Sequence, residues 1–252
     1  IASFYILKRH SVENLLHRSL ILVGLTLLIN SFWILPNLYY GINYGADVIS
    51  SKINRLFTKE AFYFNKKYGN LSNFLLLKNF LFDWSVFNNS KEAHGLLSEW
   101  AKHLSNPLIR ILGYLFSTIS IVGIIVAIRK KSALLVSFVP IFFISTVFLL
   151  SNTPIFSQIF DLVRASNKLI GELLRFPFTK FSIYLVFTLS IYFAYINQLV
   201  IEKLIKIFGK FKDYSVISVY FYSVIILILI YSAPSFRGNF ISPIVRVNIP
   251  NQ

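Results

Sequence analysis

The residues best suited to chemistry in this chain are an arginine and a lysine on either side of a proline. Arg175, Pro177 and Lys180 lie in the sequence Leu-Arg-Phe-Pro-Phe-Thr-Lys-Phe, residues 174–181. Proline is favoured at the first helical position, so we expect a helix to begin at Pro177. A helix N-terminus already carries partial positive charge and unpaired N–H groups, so two added cations call for an anion nearby. The spacing therefore predicts an anion-binding position.

Two interpretations of that anion remain open from the sequence. Arg175 and Lys180 either extend to the headgroups of ordinary membrane lipids or hold the phosphate of a substrate. Spacing alone does not decide between them.

The elements around this segment are those of a membrane protein. The 252 residues are 56% hydrophobic, and five apolar runs are long enough to be read as membrane spans. We predict an all-α fold, a polytopic transmembrane helix bundle in a single domain, with spans at about 19–40, 107–128, 132–150, 178–200 and 214–231. The net charge of +15 then indicates anionic membrane lipids as partners, with no nucleic acid.

Basic residues in short loops predict the orientation of these spans. Clusters at 8–18, 129–131 and 203–212 fall on one side when the crossings alternate, so we assign that side to the cytoplasm. Outer loops are then expected at 41–106, 151–175 and 233–252.

The outer loops contain patterns typical of amphipathic helices lying in the membrane plane. Asn89 or Ser90, with Glu92 after it, could cap a helix whose apolar face comprises Leu96, Leu97, Trp100, Ala101 and Leu104. Another helix is expected to start at Thr153-Pro154, and a short one at 169–174 leads into Arg175. Residues 74–84 are apolar but short, which favours an interfacial or re-entrant segment.

Few residues are candidates for catalysis or metal binding. None of the ten acidic residues lies in the middle of a predicted span, so intramembrane proton relays are not indicated. His94 and His103 lack the spacing of helix-borne zinc ligands, cysteine is absent, and we predict no metal site.

Four segments together resemble a known superfamily. Asn30-Ser31-Phe32-Trp33-Ile34-Leu35-Pro36, the helix opening at Pro154, residues 174–181 and Pro234-Ser235-Phe236-Arg237-Gly238-Asn239 are similar to the later membrane half of GT-C-type glycosyltransferases. The resemblance implies transfer of a sugar from a polyprenyl-phosphate donor to an acceptor on the outer face of the cytoplasmic membrane of a bacterium or archaeon.

The resemblance also implies roles for individual residues. Arg175, Lys180 and Arg237 become candidate substrate-binding residues, for the donor phosphate or as scaffold. Glu172, three residues before Arg175, either orients that arginine or forms a solvated pair with it.

The catalytic residue stays unknown, because the superfamily places it in an earlier outer loop. The chain has no methionine and opens on Ile1, so we expect it to be an internal fragment. No cofactor is expected from its own residues, and a divalent metal would take its ligands from outside them.

Other function classes compete with this interpretation. A transporter predicts broken helices or charged residues near the middle of the bilayer, where substrate sites form. A non-catalytic membrane scaffold would keep the bundle and lack an upstream acidic residue.

Overall fold

The computed structural model describes residues 12–87, 93–208, 215–238 and 241–242, and most of these are helical. The helices are α1 (Val12–Ile29), α2 (Ser31–Ser50), α3 (Lys52–Tyr68), α4 (Leu71–Leu75), α5 (Ser98–Ser105), α6 (Pro107–Arg129), α7 (Ala133–Val136), α8 (Val139–Leu149), α9 (Phe156–Ser166), α10 (Lys168–Leu173), α11 (Pro177–Phe208), α12 (Ser215–Tyr231) and α13 (Ala233–Phe236). A 3-10 turn (Phe80–Phe82) and the strands β1 (Ser85–Phe87) and β2 (Ala93–Gly95) complete the described elements. The predicted all-α class is confirmed.

Two helices have the length and hydropathy to cross a membrane. They are α6, with 23 residues, and α11, with 32. A bent pair, Leu16–Ile29 with Ser31–Ser50, passes the same test when it is taken as one span. Two shorter apolar stretches, Ala133–Leu149 and Ser215–Tyr231, fall below that length. The described residues therefore contain two or three membrane-spanning candidates, fewer than the five predicted. These helices indicate a membrane protein.

The stretch predicted as a single span over 19–40 is divided at Asn30. The axes of α1 and α2 meet there at 77°. The Asn30 side chain donates to the Thr26 carbonyl at 2.8 Å and accepts from Trp33 Nε1 at 2.9 Å. An asparagine that bonds on both sides of a break stabilises the corner, since its side chain replaces helix hydrogen bonds lost at the bend.

A tightly packed group of helices, α6, α8 and α11, forms the core. One buried cluster comprises Phe74, Leu150, Leu185 and Leu189, and a second comprises Ile124, Ala127 and Tyr192. Gly123 of α6 lies directly against Tyr192 of α11, where an added Cβ would be 2.5 Å from the Tyr192 carbonyl oxygen. The absence of a side chain at Gly123 therefore sets how closely these helices approach.

The prediction of a helix that begins at Asn89 or Ser90 is wrong for the N-terminal part of that helix. Residues 88–92, with the proposed cap and Glu92, lie outside the described residues, but Ala93–Gly95 pairs antiparallel with Ser85–Phe87. Only α5 is helical. The strand arrangement continues at Leu96, whose N–H donates to the Trp84 carbonyl and whose carbonyl accepts from the Ser242 N–H. These long-range bonds satisfy backbone groups that local capping would not reach.

The polar connections between helices meet at one end of the bundle. Asn65 of α3 contacts Arg175, Ser151 donates to the Asn65 carbonyl, and the His103 ring lies 3.1 Å from the Tyr231 carbonyl oxygen. The predicted helix starts at Pro107 and Pro177 are confirmed, because α6 and α11 begin at those residues. The helix expected from Thr153-Pro154 begins instead at Phe156, after Ile155 with φ of 73°.

Candidate functional site

Arg175 lies in the short turn between α10 and α11. Its backbone N–H donates to the Glu172 carbonyl at 3.2 Å, and α11 starts two residues later at Pro177. The backbone is constrained on both sides of the turn, because α10 ends just before it and Pro177 restricts the backbone just after it. The side chain of Arg175 therefore leaves the backbone from a defined position.

The guanidinium of Arg175 is held by residues of two other segments. Its Nη1 donates to Asn54 Oδ1 at 2.6 Å and lies 3.3 Å from Glu172 Oε2. Asn54 Nδ2 in turn donates to the same carboxylate oxygen at 3.4 Å. Thr58 Oγ1 lies 3.2 Å from Glu172 Oε1 and shares its one proton between this oxygen and the Asn54 carbonyl, which is 2.9 Å away. Glu172 thus takes hydrogen bonds from Arg175 and from successive turns of α3.

The backbone of Arg175 is anchored to α3 as well. Asn65 Nδ2 donates to the Arg175 carbonyl at 2.9 Å, and Ser151 Oγ donates to the Asn65 carbonyl at 2.9 Å. Asn54, Thr58 and Asn65 lie at positions i, i+4 and i+11 of one helix, which places them on one face. That face binds the turn before α11 through polar contacts.

The Glu172 carboxylate is an anion next to Arg175, as the two cations of the predicted helix start led us to expect. The side chains of Arg175 and Glu172 are only 27% and 25% exposed, so their charges compensate each other in a partly desolvated setting. The interpretation in which Glu172 orients Arg175 agrees with this geometry. The Nε of Arg175 is buried without a hydrogen-bond partner.

Neither Lys180 nor Arg237 joins this ion pair. Lys180 is exposed in the first turn of α11, and in the described ranges no hydrogen bond or ion pair joins it to Arg175 or Glu172. Arg237 is exposed at the end of α13, where it lines a cavity of about 440 Å³ with residues of α5. The structure therefore brings together Glu172 and Arg175 and places Arg237 in a separate site.

The cavity at Arg237 is predominantly cationic. Lys102 and His103 of α5 line it together with Arg237, and Glu99 is its one acidic side chain. His103 Nε2 must carry a proton to donate to the Tyr231 carbonyl, because a carbonyl only accepts. Within the part of the chain that the structure describes, Arg237 has no ion-pair partner, so its charge is available to a ligand.

An apolar groove lies beside the same helix end. It encloses about 400 Å³ between α6, α11 and α12 and is lined by Gly113, Phe116, Ser117, Val186, Leu189, Phe193, Ile228 and Tyr231, among others. The Ser117 hydroxyl is already used, since it donates to the Leu75 carbonyl at 2.6 Å. The groove thus offers mainly apolar contacts, and the last turn of α12 separates it from the cationic cavity.

Sequence reasoning missed several of these residues. The apolar face predicted over Leu96, Leu97, Trp100, Ala101 and Leu104 leaves Glu99, Lys102 and His103 on the polar side of that helix, but no pattern in the sequence places Arg237 beside them. Asn54 and Thr58 carried no such signal, because they meet Glu172 more than 110 positions away.

Neither a metal-ligand group in the described residues nor a similar known protein is found. Across the described ranges, no three His, Cys, Asp or Glu side chains come together as metal ligands. Comparison with known proteins finds no match: neither a protein family, nor a curated protein, nor a solved structure is significantly similar to the chain.

Proposed function

We propose that the chain is the later membrane part of a glycosyltransferase that takes a sugar from a polyprenyl-phosphate donor. The acceptor receives the sugar on the outer face of the cytoplasmic membrane of a bacterium or archaeon. This function needs a binding place for an isoprenoid chain, a cationic site for its phosphate at headgroup level and space for a sugar.

The observation that carries the proposal is the pair of cavities at the end of α12. The apolar groove lies along α12 between α6 and α11, and the cationic cavity lies at its terminus. A lipid whose chain occupies the groove has its headgroup beside Lys102, His103 and Arg237. Their volumes, about 400 and 440 Å³, suit part of an isoprenoid chain and a glycosyl phosphate.

The charges in this cavity fit the reaction. In sugar transfer the polyprenyl phosphate is the leaving group, and negative charge grows on its bridging oxygen as the glycosidic bond breaks. Cations fixed near that oxygen stabilise the transition state more than the ground state. Arg237 and Lys102 take this role, and no residue of the chain is assigned as catalytic base.

The proposal includes a five-crossing arrangement. In it, the bent α1–α2 pair, α6, the α7–α8 pair, α11 and α12 each traverse the bilayer, and the stretches of 17 residues cross a locally thinned membrane. The α5 and α13 helices then lie at the outer surface. Arg175 stays a proposed substrate-binding residue, with Lys180 at the same helix entry.

The experiment measures binding and transfer with undecaprenyl phosphate and its glycosylated form in nanodiscs. Replacing Arg237 with Gln, or Lys102 with Gln, should weaken undecaprenyl phosphate binding roughly 10-fold or more, the effect of losing one charged contact. Lys130→Gln, at the other end of α6, serves as the matched control.

The outcomes separate the function classes. Weakened binding together with reduced sugar transfer supports the transferase, whereas weakened binding in a protein that never transfers sugar supports a scaffold. Equal affinities in all three variants would refute the donor site.

A further inference from the structure

A larger cavity is lined by Glu172, and the proposed function does not use it. It encloses about 620 Å³ between the end of α2, the start of α3 and α10. Its walls include the apolar side chains of Ala46 and Ile49, the cations Arg55 and Lys59, and the carboxylate of Glu172. It shares no lining residue with either cavity at α12.

The carboxylate in this cavity is fixed in place. Thr58 Oγ1 lies 3.2 Å from Glu172 Oε1 and shares its proton between this oxygen and the Asn54 carbonyl, while Asn54 and Arg175 contact Oε2. Each carboxylate oxygen can accept more than one hydrogen bond, so a ligand hydroxyl or amine can still bind to Glu172. Because three partners already hold the carboxylate, binding of a ligand to Glu172 costs little conformational entropy.

The cations are placed on one side of α3. Arg55 and Lys59 are four positions apart, so their side chains project from the same face, and both are exposed. Arg175 already compensates Glu172, so Arg55 and Lys59 give the cavity an excess of positive charge.

These features restrict the ligand. A simple cation would be repelled by Arg55 and Lys59, and an anion without hydrogen-bond donors would gain nothing from Glu172. A ligand with a phosphate and neighbouring hydroxyl groups satisfies all three side chains. We propose that this cavity binds a phosphate-bearing polyol, with the phosphate at Arg55 and Lys59 and a hydroxyl donating to Glu172.

Two sources of such a group are possible in a membrane protein. One is a soluble sugar phosphate, and the other is the headgroup of a phosphoglycolipid whose chain contacts Ala46 and Ile49. The chemistry is shared, so the experiment needs one arm for each source.

The first arm titrates the protein, in phosphatidylcholine nanodiscs, with glucose 1-phosphate and with inorganic phosphate. The second compares binding of fluorescent phosphatidylinositol with that of phosphatidylcholine in the same nanodiscs. Saturable glucose 1-phosphate binding identifies the soluble source. Selective phosphatidylinositol binding identifies the lipid source.

Variants test the assigned contacts. The double substitution Arg55→Gln/Lys59→Gln should weaken binding of the preferred probe roughly 10- to 100-fold. Glu172→Gln should reduce the preference for the polyol phosphate over inorganic phosphate. Lys66→Gln, an exposed change on the same helix outside the cavity, should bind like the unmodified protein.

Binding of neither probe would overturn the proposal. The same holds if the Arg55/Lys59 double variant, confirmed as folded by thermal unfolding, keeps full affinity. Because Arg237 and Lys102 are untouched, failure here leaves the donor-site test at α12 unaffected.

Discussion

At the scale of single residues, the partner of Arg175 changes what its substitution should do. An arginine that only reaches a lipid headgroup can be replaced with little cost, since water and lipid substitute for its contacts. Here the guanidinium contacts Asn54 and Glu172, and the Arg175 carbonyl accepts from Asn65. Removing the side chain leaves a partly buried carboxylate without its cation, which is costly.

Arg175→Ala should therefore lower the free energy of unfolding by about 1–3 kcal/mol, the usual range for a partly buried charged hydrogen bond. Thermal unfolding in detergent measures the change. Lys180→Ala is the control, because Lys180 is exposed and should alter stability by less than about 0.5 kcal/mol. If Arg175→Ala unfolds at the unmodified temperature, the ion pair contributes nothing to the fold.

Asp83 forms a second polar cluster with the end of α3. Lys67 Nζ lies 2.5 Å from Asp83 Oδ2, and this hydrogen bond raises the pKa of Lys67. Burial, followed by a hydrogen bond to Asp83, raises the pKa of Tyr68 well above its ordinary value of 10.0. In both cases folding favours the protonated side chain.

The fold should consequently lose stability at alkaline pH. Both contributions are complete below about pH 10, the ordinary range of these groups, and are lost as the pH rises through the raised pKa values of the folded state. Tyr68→Phe should flatten the fall in unfolding temperature above about pH 10. Tyr44→Phe, at an exposed tyrosine of α2, should leave the fall unchanged; equal curves for both variants would contradict the assignment.

At the scale of helices, the contact between α6 and α11 depends on Gly123. An added methyl group would meet the backbone carbonyl of Tyr192, which cannot move aside as a flexible side chain could. The neighbouring residues Ile124 and Tyr192 belong to the same buried cluster. Any change in helix separation therefore disturbs packing on both sides.

Gly123→Ala should destabilise the protein by about 1–3 kcal/mol, the typical cost of overpacking a core. The matched control is Gly41→Ala in α2, where an added Cβ has no atom within 4 Å. That control should be neutral or slightly stabilising, because alanine favours helix more than glycine does. Unfolding temperatures of the two variants in the same detergent give the comparison, and a stable Gly123→Ala protein would show that α6 and α11 can separate freely.

Two helix starts marked by a proline were predictable, the one expected at Thr153-Pro154 was not, and neither were the tertiary pairings. Pro107 and Pro177 begin α6 and α11 because a residue without an N–H is tolerated at a helix start. By contrast, Ala93–Gly95 forms a strand through pairing with β1 and through the Leu96 contact with Ser242, both distant from local patterns. The Glu172–Arg175 pair followed from spacing, whereas its partners on α3 depend on how the chain folds back.

At the scale of the whole molecule, the polar connections share one end of the bundle. His103 meets Tyr231 and Asn65 meets Arg175, whereas Lys130 and Lys131 follow the other end of α6. The excess of basic residues in short loops assigns that other end to the cytoplasm. The orientation stays a prediction that labelling can decide.

Single cysteines replacing Ser105 and Ser166, both exposed, should react with an impermeant thiol reagent in intact cells. A cysteine replacing Ser132 should react only after the cells are opened. The absence of native cysteine makes each labelling signal unambiguous. Reaction at Ser132 alone in intact cells would invert the orientation.

The length of α11 exceeds the thickness of a membrane core. Its 32 residues extend about 48 Å at 1.5 Å per residue, while a hydrocarbon core is only about 30 Å thick. About 18 Å of continuous helix must therefore project past the bilayer unless the helix is steeply tilted, and the projecting turns carry Gln198, Glu202 and Lys206. Tyr220 of α12 braces this stalk by donating to Asn197 at 2.6 Å. The stalk and the turn that holds Arg175 thus lie at opposite ends of one continuous helix.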